Sequence, residues 1–424
     1  MHKLLMDSPQ ADMRGKMGNQ YYLGIDMDDE NAIVSFFQPN MREPETVSTV
    51  AGGEIFQIPL VVAKKQGLGQ WFIGEEAKKI ALQQRENEVK HLLSRALGEE
   101  TVCVEGENFS AKELLALYLK KLIYMAGRLG NPLQPDKVVI SLERLSREAT
   151  GLFLGIAGEL GLAEEQVTLI DRRESFYYFI YNQKNEIWLH DVCLFDCRGN
   201  DIHCCLAQRN IRTTPQLITM VEDVKHMDST KRDEAFLQIA AGQLKGHIVS
   251  AVYLVGDGFD GGWPKESLNF ICKGRKAFMG KNLYSKGACY AAEVKEGTKD
   301  WAFVYMGDNE MKVNVSLKVS NLGKTELYTL ITAGDNWYET VGECEVILDG
   351  TPEIDFWLQT PNSREAKLEK IELADLPKRP PKTTRLRITA KPLSDREVQI
   401  VMKDMGFGEI FKSSDKSWEY VMAL

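Results

Sequence analysis

Over roughly the first 300 residues, short apolar runs alternate with stripes of helical spacing. The strand candidates are Tyr22–Asp26, Ala32–Phe37, Ile58–Ala63, Val138–Leu142, Val167–Ile170, Val192–Asp196, Ile202–Leu206 and Val252–Gly256. Each is short, apolar or β-branched, and bounded by Gly, Pro, Asn or Asp. Ser110 and Glu113 form a capping-box signature that starts a helix at Ala111. Leu114, Leu115, Leu117, Tyr118, Leu122 and Met125 then follow at helical spacing. Further helices are predicted over about 147–160 and 231–247, the second with Phe236, Ala240, Leu244 and Ile248 on one stripe. Strands alternating with helices predict an α/β architecture.

After Trp301 the period changes to two: Val313, Val315, Leu317 and Val319, then Leu386 and Ile388, then Val398, Ile400 and Met402. No helix of more than two turns is expected there. Pro377, Pro380 and Pro381 mark an internal loop, since proline removes ladder donors. Residues 301–424 therefore read as a separate all-β domain, a sandwich. Residues 1–20 read as a disordered tail, and 21–300 as the α/β domain.

Composition narrows the function classes. The 424 residues suit two or three domains, and 44% hydrophobic with 27% charged residues is the mix of an ordinary globular protein. The net charge of −9 repels nucleic-acid backbones and anionic lipid, so neither is an expected partner. The apolar run Leu4–Met6 is too short for a signal peptide, and no stretch approaches the ~18 apolar residues of a membrane span. A cytoplasmic protein is expected. Among eight cysteines, Cys193, Cys197, Cys204 and Cys205 cluster, but without zinc-knuckle spacing. They read as small buried hydrophobes.

Three segments place a Gly-containing turn after a strand: YLGIDMDDEN (22–31), LFDCRGNDIH (194–203) and YLVGDGFDGG (253–262). Free backbone N–H groups at such turns bind anions and nucleotides. The first resembles G-I-D-L-G-T-T-N of the DnaK-type heat-shock chaperones. The second resembles F-D-L-G-G-G-T-F-D and the third L-V-G-G-S-T-R-I-P of the same family. FIGEEAKK (72–79), VVISLERLSREATGLFLGIAGELGL (138–162), RESFYYFIY (173–181) and NLYSKGACYAA (282–292) fall in the family's order over about residues 20–292. The resemblance implies an actin-like, ribonuclease H-type domain with two lobes, about 21–190 and 191–300. It also implies a nucleotide site. Asp26 and Asp196 match the two aspartates that hold magnesium-bound waters, Glu174 the hinge-helix glutamate, and Lys90 the catalytic lysine. Gly24, Gly199, Gly256 and Gly258 fall in or beside the loops that receive the cofactor.

The loops depart from the family. Asp28, Asp29 and Glu30 stand where Gly-Thr-Thr would wrap phosphates. One carboxylate ~5 Å from one phosphate charge costs roughly 3 kcal/mol at an effective dielectric near 20. Arg198, Asn200 and Asp201 replace Gly, Gly and Thr in the second loop, and Asp257 and Phe259 replace Gly and Thr in the third. Only 44 residues, bridged by one helix and a loop, lie between Leu206 and Ala251, where the family inserts an adenine-closing subdomain.

Each singled-out residue carries a structural reading beside the functional one. Asp26 and Asp28–Glu30 are read as a solvated acidic turn rather than a divalent-cation site or the D-x-D of an aspartyl phosphatase. Gly323-Lys324-Thr325 joins two strands and is not a P-loop. His203 is read as a packed core residue. Phe176, Tyr177, Tyr178, Phe179 and Tyr181 are read as a helix packed between lobes. Arg198 is expected to neutralise the acids of the first loop. The reading is a DnaK-like scaffold or chaperone-like binding module with a degenerate nucleotide site, no cofactor, and protein or peptide partners on the β domain. The alternatives are a working Mg-ATPase using ATP and magnesium through Asp26, Asp196, Glu174 and Lys90, and a metal-dependent phosphatase.

Overall fold

The computed structural model describes residues 2–4, 20–50, 52–67, 69–83, 87–129 and 135–424. The chain forms two compact units. One comprises Arg14–Gln208 and Met220–Trp301; the other comprises Met1–Met13, Arg209–Thr219 and Ala302–Leu424. The fold is mixed α/β, followed by a β-rich C-terminal region.

The first unit is organised by two sheets. In the first, β1 (Tyr22–Met27) is flanked by β2 (Asn31–Phe37) and β4 (Lys137–Leu142), with β3 (Glu45–Thr46) beyond β2 and β5 (Val167–Asp171) beyond β4. β1, β2 and β3 run antiparallel, while β4 and β5 run parallel to β1. Every residue of β1 is buried, as a central strand covered on both faces requires. In the second sheet β6 (Asp191–Arg198) is central, flanked by β7 (Asp201–Asn210) and β9 (Val249–Val255). β8 (Gln216–His226) lies beyond β7 and β10 (Lys276–Met279) beyond β9. β6 is antiparallel to β7 and parallel to β9, which is parallel to β10. Both sheets thus share one strand order: 5-4-1-2-3 by position within each set.

Helices pack on these sheets: α1 (Ala111–Leu129), α2 (Arg147–Glu159), α3 (Arg172–Tyr181), α4 (Arg232–Leu244) and α5 (Leu283–Lys295). The Glu113 carboxylate accepts from the Ser110 N–H at 3.2 Å, as the capping signature predicts. In α3, Phe176 meets Tyr253 edge-on at 6.0 Å, and Phe179 meets Tyr253 and Tyr290, so the aromatic cluster is packing. Cys193, Cys197, Cys204 and Cys205 are free and buried, as expected.

Four expectations need correction. Ile58–Ala63 is not one strand: Ile58–Pro59 pairs with β2, and a separate strand, Val62–Lys65, pairs with Gln70–Ile73 and Glu88–Val89. The region between β7 and β9 contains β8 as well as a helix. Ile248 lies beyond the end of α4 and is 71% exposed, while Phe236, Ala240 and Leu244 are buried. The expected disordered tail falls on residue 1 and residues 5–19, outside the described residues, but His2–Leu4 form a strand.

In the other unit, the short strand β11 (Phe303–Tyr305) pairs in parallel with Gln216–Ile218. Beyond it runs a nine-stranded sheet. One half contains β12 (Asn314–Asn321), β13 (Lys324–Ile331), β15 (Glu353–Gln359) and β16 (Lys367–Glu372). The other contains β14 (Gly342–Ile347), β17 (Arg385–Ser394), β18 (Glu397–Asp404) and β19 (Ser417–Ala423). His2–Leu4 pairs with β12 on one side and β14 on the other, joining the halves. Alternate side chains of both halves, including Val315, Leu317, Phe356, Ile388 and Ile400, bury one core. The period-two pattern foretold this core. A continuous sheet instead of two arises because the strand from the N-terminus bridges the seam. Gly323-Lys324-Thr325 sits at the β12–β13 hairpin turn.

Candidate functional site

A cleft of about 260 Å³ opens where the C-terminal ends of β1 and β6 face one another. Asp26 and Asp196 both line it, with Gly199, Gly256, Gln57 and Lys281. The two aspartates hold corresponding places, each near the end of the first strand of its sheet. They are 5% and 4% exposed. Buried carboxylates require partners.

The partner of Asp26 is Arg172, the first residue of α3. Its Nε donates to Asp26 Oδ1 at 2.8 Å and its Nη2 to Oδ2 at 3.0 Å. The same Nη2 donates to Asp28 Oδ2 at 3.0 Å. The guanidinium lies over the Tyr284 ring, 5.1 Å from its centre. The Tyr284 hydroxyl donates to Asp196 Oδ2 at 3.1 Å. Arg198 donates to that oxygen from Nη2 at 2.7 Å and Nε at 3.1 Å, and its Nη1 lies 2.8 Å from Glu143 Oε1. A chain of contacts thus runs Asp28–Arg172–Tyr284–Asp196–Arg198–Glu143, with Asp26 also held by Arg172.

Burial is the largest influence on Asp26 and raises its carboxyl above the ordinary value, against the pull of Arg172. Burial also acts to raise Asp28, but Arg172 and the N–H groups of Asn31 and Glu30 outweigh it and hold that carboxyl below its usual value. Burial lifts the Tyr284 phenol well above its ordinary value, which keeps it a donor to Asp196.

The acidic turn is bonded as well as partly exposed, with the Glu30 side chain 72% open to solvent. Asp28 accepts from the N–H groups of Glu30 and Asn31 at 2.9 Å. Asp29 accepts from Ser94 N–H and Oγ at 3.0 and 2.8 Å and meets His91 Nδ1 at 3.1 Å. Glu30 lies 3.4 Å from the same imidazole. In the third loop Asp257 is held by Gln57 at 2.9 Å and Lys281 at 3.1 Å. Among the described residues no group of three or more His, Cys, Asp or Glu side chains is arranged to hold a metal ion. The donor set does not suit a divalent cation: both Asp26 oxygens face one guanidinium, and Asp196 Oδ2 faces a second.

Of the other candidates drawn from the sequence, Gly199, Gly256 and Arg198 line the cleft, while Glu174, Lys90, Gly24 and Gly258 do not. Glu174 is buried in α3, with Lys295 Nζ at 3.6 Å, and does not line the cleft. Lys90 is 54% exposed and pairs with Glu88 at 2.9 Å. Gly24 is a packing glycine: a Cβ there would overlap the Ser285 carbonyl and the Cys289 amide of α5. Gly256 and Gly258 pack against Cys197, and Gly256 has φ +92°, which a side chain would strain. Gly199, at φ +61°, lines the cleft. Arg198 does not reach the acids of the first loop; it is held by Asp196, two residues away, and by Glu143. His203 is half-buried, not core, and lines a small cavity of about 70 Å³ with Arg173 and Glu222.

Sequence reasoning missed Arg172 and Tyr284. A signal for Arg172 was present: arginine at a helix N-terminus opposes the helix dipole and calls for a carboxylate partner. Its neighbour Arg173 is held by Asp171 at 2.6 Å and Glu222 at 3.2 Å. Tyr284 offered no comparable sign.

No helix among the described residues is long and apolar enough to cross a membrane. A search of curated proteins returns no match. A model described as "Domain of unknown function (DUF8552)" matches residues 310–424. A model described as "Family of unknown function (DUF5716) C-terminal" matches residues 43–308, well over half of the chain, which therefore belongs to the DUF5716 family.

Proposed function

We propose that the chain is a degenerate actin-fold relative of the DnaK-type chaperones, a binding or scaffold module whose nucleotide cleft is plugged by internal ion pairs. The observation that carries this reading is the Arg172 guanidinium, bonded to Asp26 and Asp28 where a nucleotide's phosphates and magnesium would stand. The repeated strand order of the two sheets supports the duplicated ribonuclease H-type ancestry. The short stretch between β7 and β9, one strand and one helix, supports loss of the adenine-side subdomain. Partners then dock on the β domain. The acidic balance, −9, disfavours nucleic acid.

A second reading, an active Mg-ATPase, draws on one feature: Asp26, Asp196, Gly199 and Gly256 share one cleft. Titration of Mg-ATP into the protein, read as heat and as melting temperature, separates the two. A native-state ligand at a hundred times its dissociation constant adds about 2.7 kcal/mol of stability. The plugged cleft predicts neither heat nor shift at millimolar nucleotide. A shift that disappears in Asp196→Ala would overturn the plug and favour the ATPase.

A further inference from the structure

The two halves of the β domain do not pair directly along their seam. One edge of β12 pairs with β15 from Asn314 to Leu317, and then with His2 and Lys3 at Val319 and Ser320. β14 meets the same short strand at Ile347 and Val346. Without His2–Leu4 the nine strands separate into two sheets of four. The backbone at the seam would then lose its partners beside Val319 and Val346, which are fully buried. Buried backbone groups are rarely left unpaired. A cavity of about 530 Å³ adjoins the seam, lined in part by Ser320, Ile347, Leu322, Gly323 and Phe407. Ser320 and Ile347 are the residues that face Lys3 in the ladder, so open space continues from the strand that fills the seam. Leu322, at a hairpin tip with φ +49°, is 92% exposed beside it.

We infer that the gap between β12 and β14 is a strand-receiving slot, and that its occupant is the chain's own N-terminal segment, inserted parallel to β12 and antiparallel to β14. Backbone ladders hold the segment, as when an extended peptide is added to a sheet edge. The slot needs residues distant in sequence: the strand at 2–4 closes a domain that otherwise begins at Arg209. Three residues make a short ladder, and the four strands on either side pair among themselves without it.

Hydrogen exchange tests this. Truncation of residues 1–13 is expected to raise exchange at the 319–320 and 346–347 amides at least tenfold, with Ile388 and Ile400 unchanged. Adding a peptide of residues 1–8 should restore protection, and the same peptide carrying Lys3→Pro should not, since proline removes a ladder donor. If the truncated chain fails to fold, Lys3→Pro in the full chain gives the reading. Equal exchange at those amides with and without the strand would overturn the slot. Protection that appears only at concentrations where the chain dimerises would overturn the intramolecular occupant.

Discussion

Replacing Arg172 with methionine removes the cation from the cleft while keeping much of the side-chain volume. Asp26, 5% exposed, would then face Asp28 and Asp196 with no direct cationic partner. Breaking a buried pair by deleting one partner costs about 3–5 kcal/mol. For a unit of this size each kcal/mol moves the melting temperature by roughly 2–4 °C, so a drop near 10 °C at pH 7 is expected. The sign with pH is also fixed. Burial already raises the Asp26 carboxyl, and loss of Arg172 raises it further above its unfolded value, ~3.9. A raised carboxyl contributes stability that is full below the unfolded value and is lost as pH rises through the folded one. The gap between Arg172→Met and the parent should therefore narrow as pH falls from 7 towards 5. Calorimetric melting of the parent, Arg172→Met, Asp26→Asn and the double variant forms a cycle. The double variant should melt above Arg172→Met alone, because the amide that replaces the Asp26 carboxylate carries no charge to strand. A melting temperature within about 2 °C of the parent for Arg172→Met, with no change in pH slope, would refute the ion-pair plug.

Asp404 in the β domain is fully buried and accepts two bonds from Arg379 at 2.8 Å, with further bonds from Ser414 and Gly406 N–H. Burial alone would raise it, but those bonds outweigh burial and hold it well below the carboxylate range. Its stabilisation is present above the unfolded value of ~3.9 and is lost as pH falls through the folded one. Asp404→Ala should cost about 3 kcal/mol at pH 7, read by urea unfolding, and flatten the acid limb of the pH profile. Gly24→Ala should destabilise by about 1–3 kcal/mol by forcing α5 off β1, with the loss visible in melting temperature and independent of nucleotide.

Legibility followed the range of the cause. Strands set by continuous burial, such as β1, β4 and β6, lie within a residue or two of their apolar runs. β8 escaped although Leu217, Ile218, Met220 and Val221 form an apolar run, because its second half is largely exposed and carries Glu222, Asp223, Lys225 and His226. The misplaced Ile248 was readable: Gly246, at φ +82°, follows the end of α4 and is a stop signal that the apolar stripe overrode. The position of Asp26 and Asp196 near strand ends was legible because strand-end turns are local. The occupant of the cleft was not, because Arg172 is 146 residues from Asp26 and Tyr284 is 88 from Asp196. Nothing within either segment states that these groups meet. The run of Asp28, Asp29 and Glu30 after β1 is legible as a concentration of negative charge. Its other half, the guanidinium and helix-end amide that satisfy those acids, is a tertiary fact.

The presence of Asp26 and Asp196 in the cleft has a physical reason that does not require catalysis. Removing Asp26 would leave Arg172, 8% exposed, with only the half-exposed Asp28 and the Tyr284 ring. Removing Asp196 would leave the buried Tyr284 hydroxyl without its acceptor and free Arg198 from its nearer carboxylate. Each group is costly to delete singly because its partner is buried, although a whole network can often be replaced by apolar residues without loss. Tyr284 belongs to α5, which also packs on β1 through Gly24, and its hydroxyl reaches β6. The network therefore ties the first sheet to the second through one helix. In an ATPase of the proposed ancestry, nucleotide and magnesium would supply that tie and withdraw it on release. On the proposed reading the side chains supply it permanently, so signalling by nucleotide exchange is lost and a fixed frame is kept. On that reading, the exchange would account for acidic strand ends, basic side chains in the strand-end loops and a small cleft occurring together in one chain.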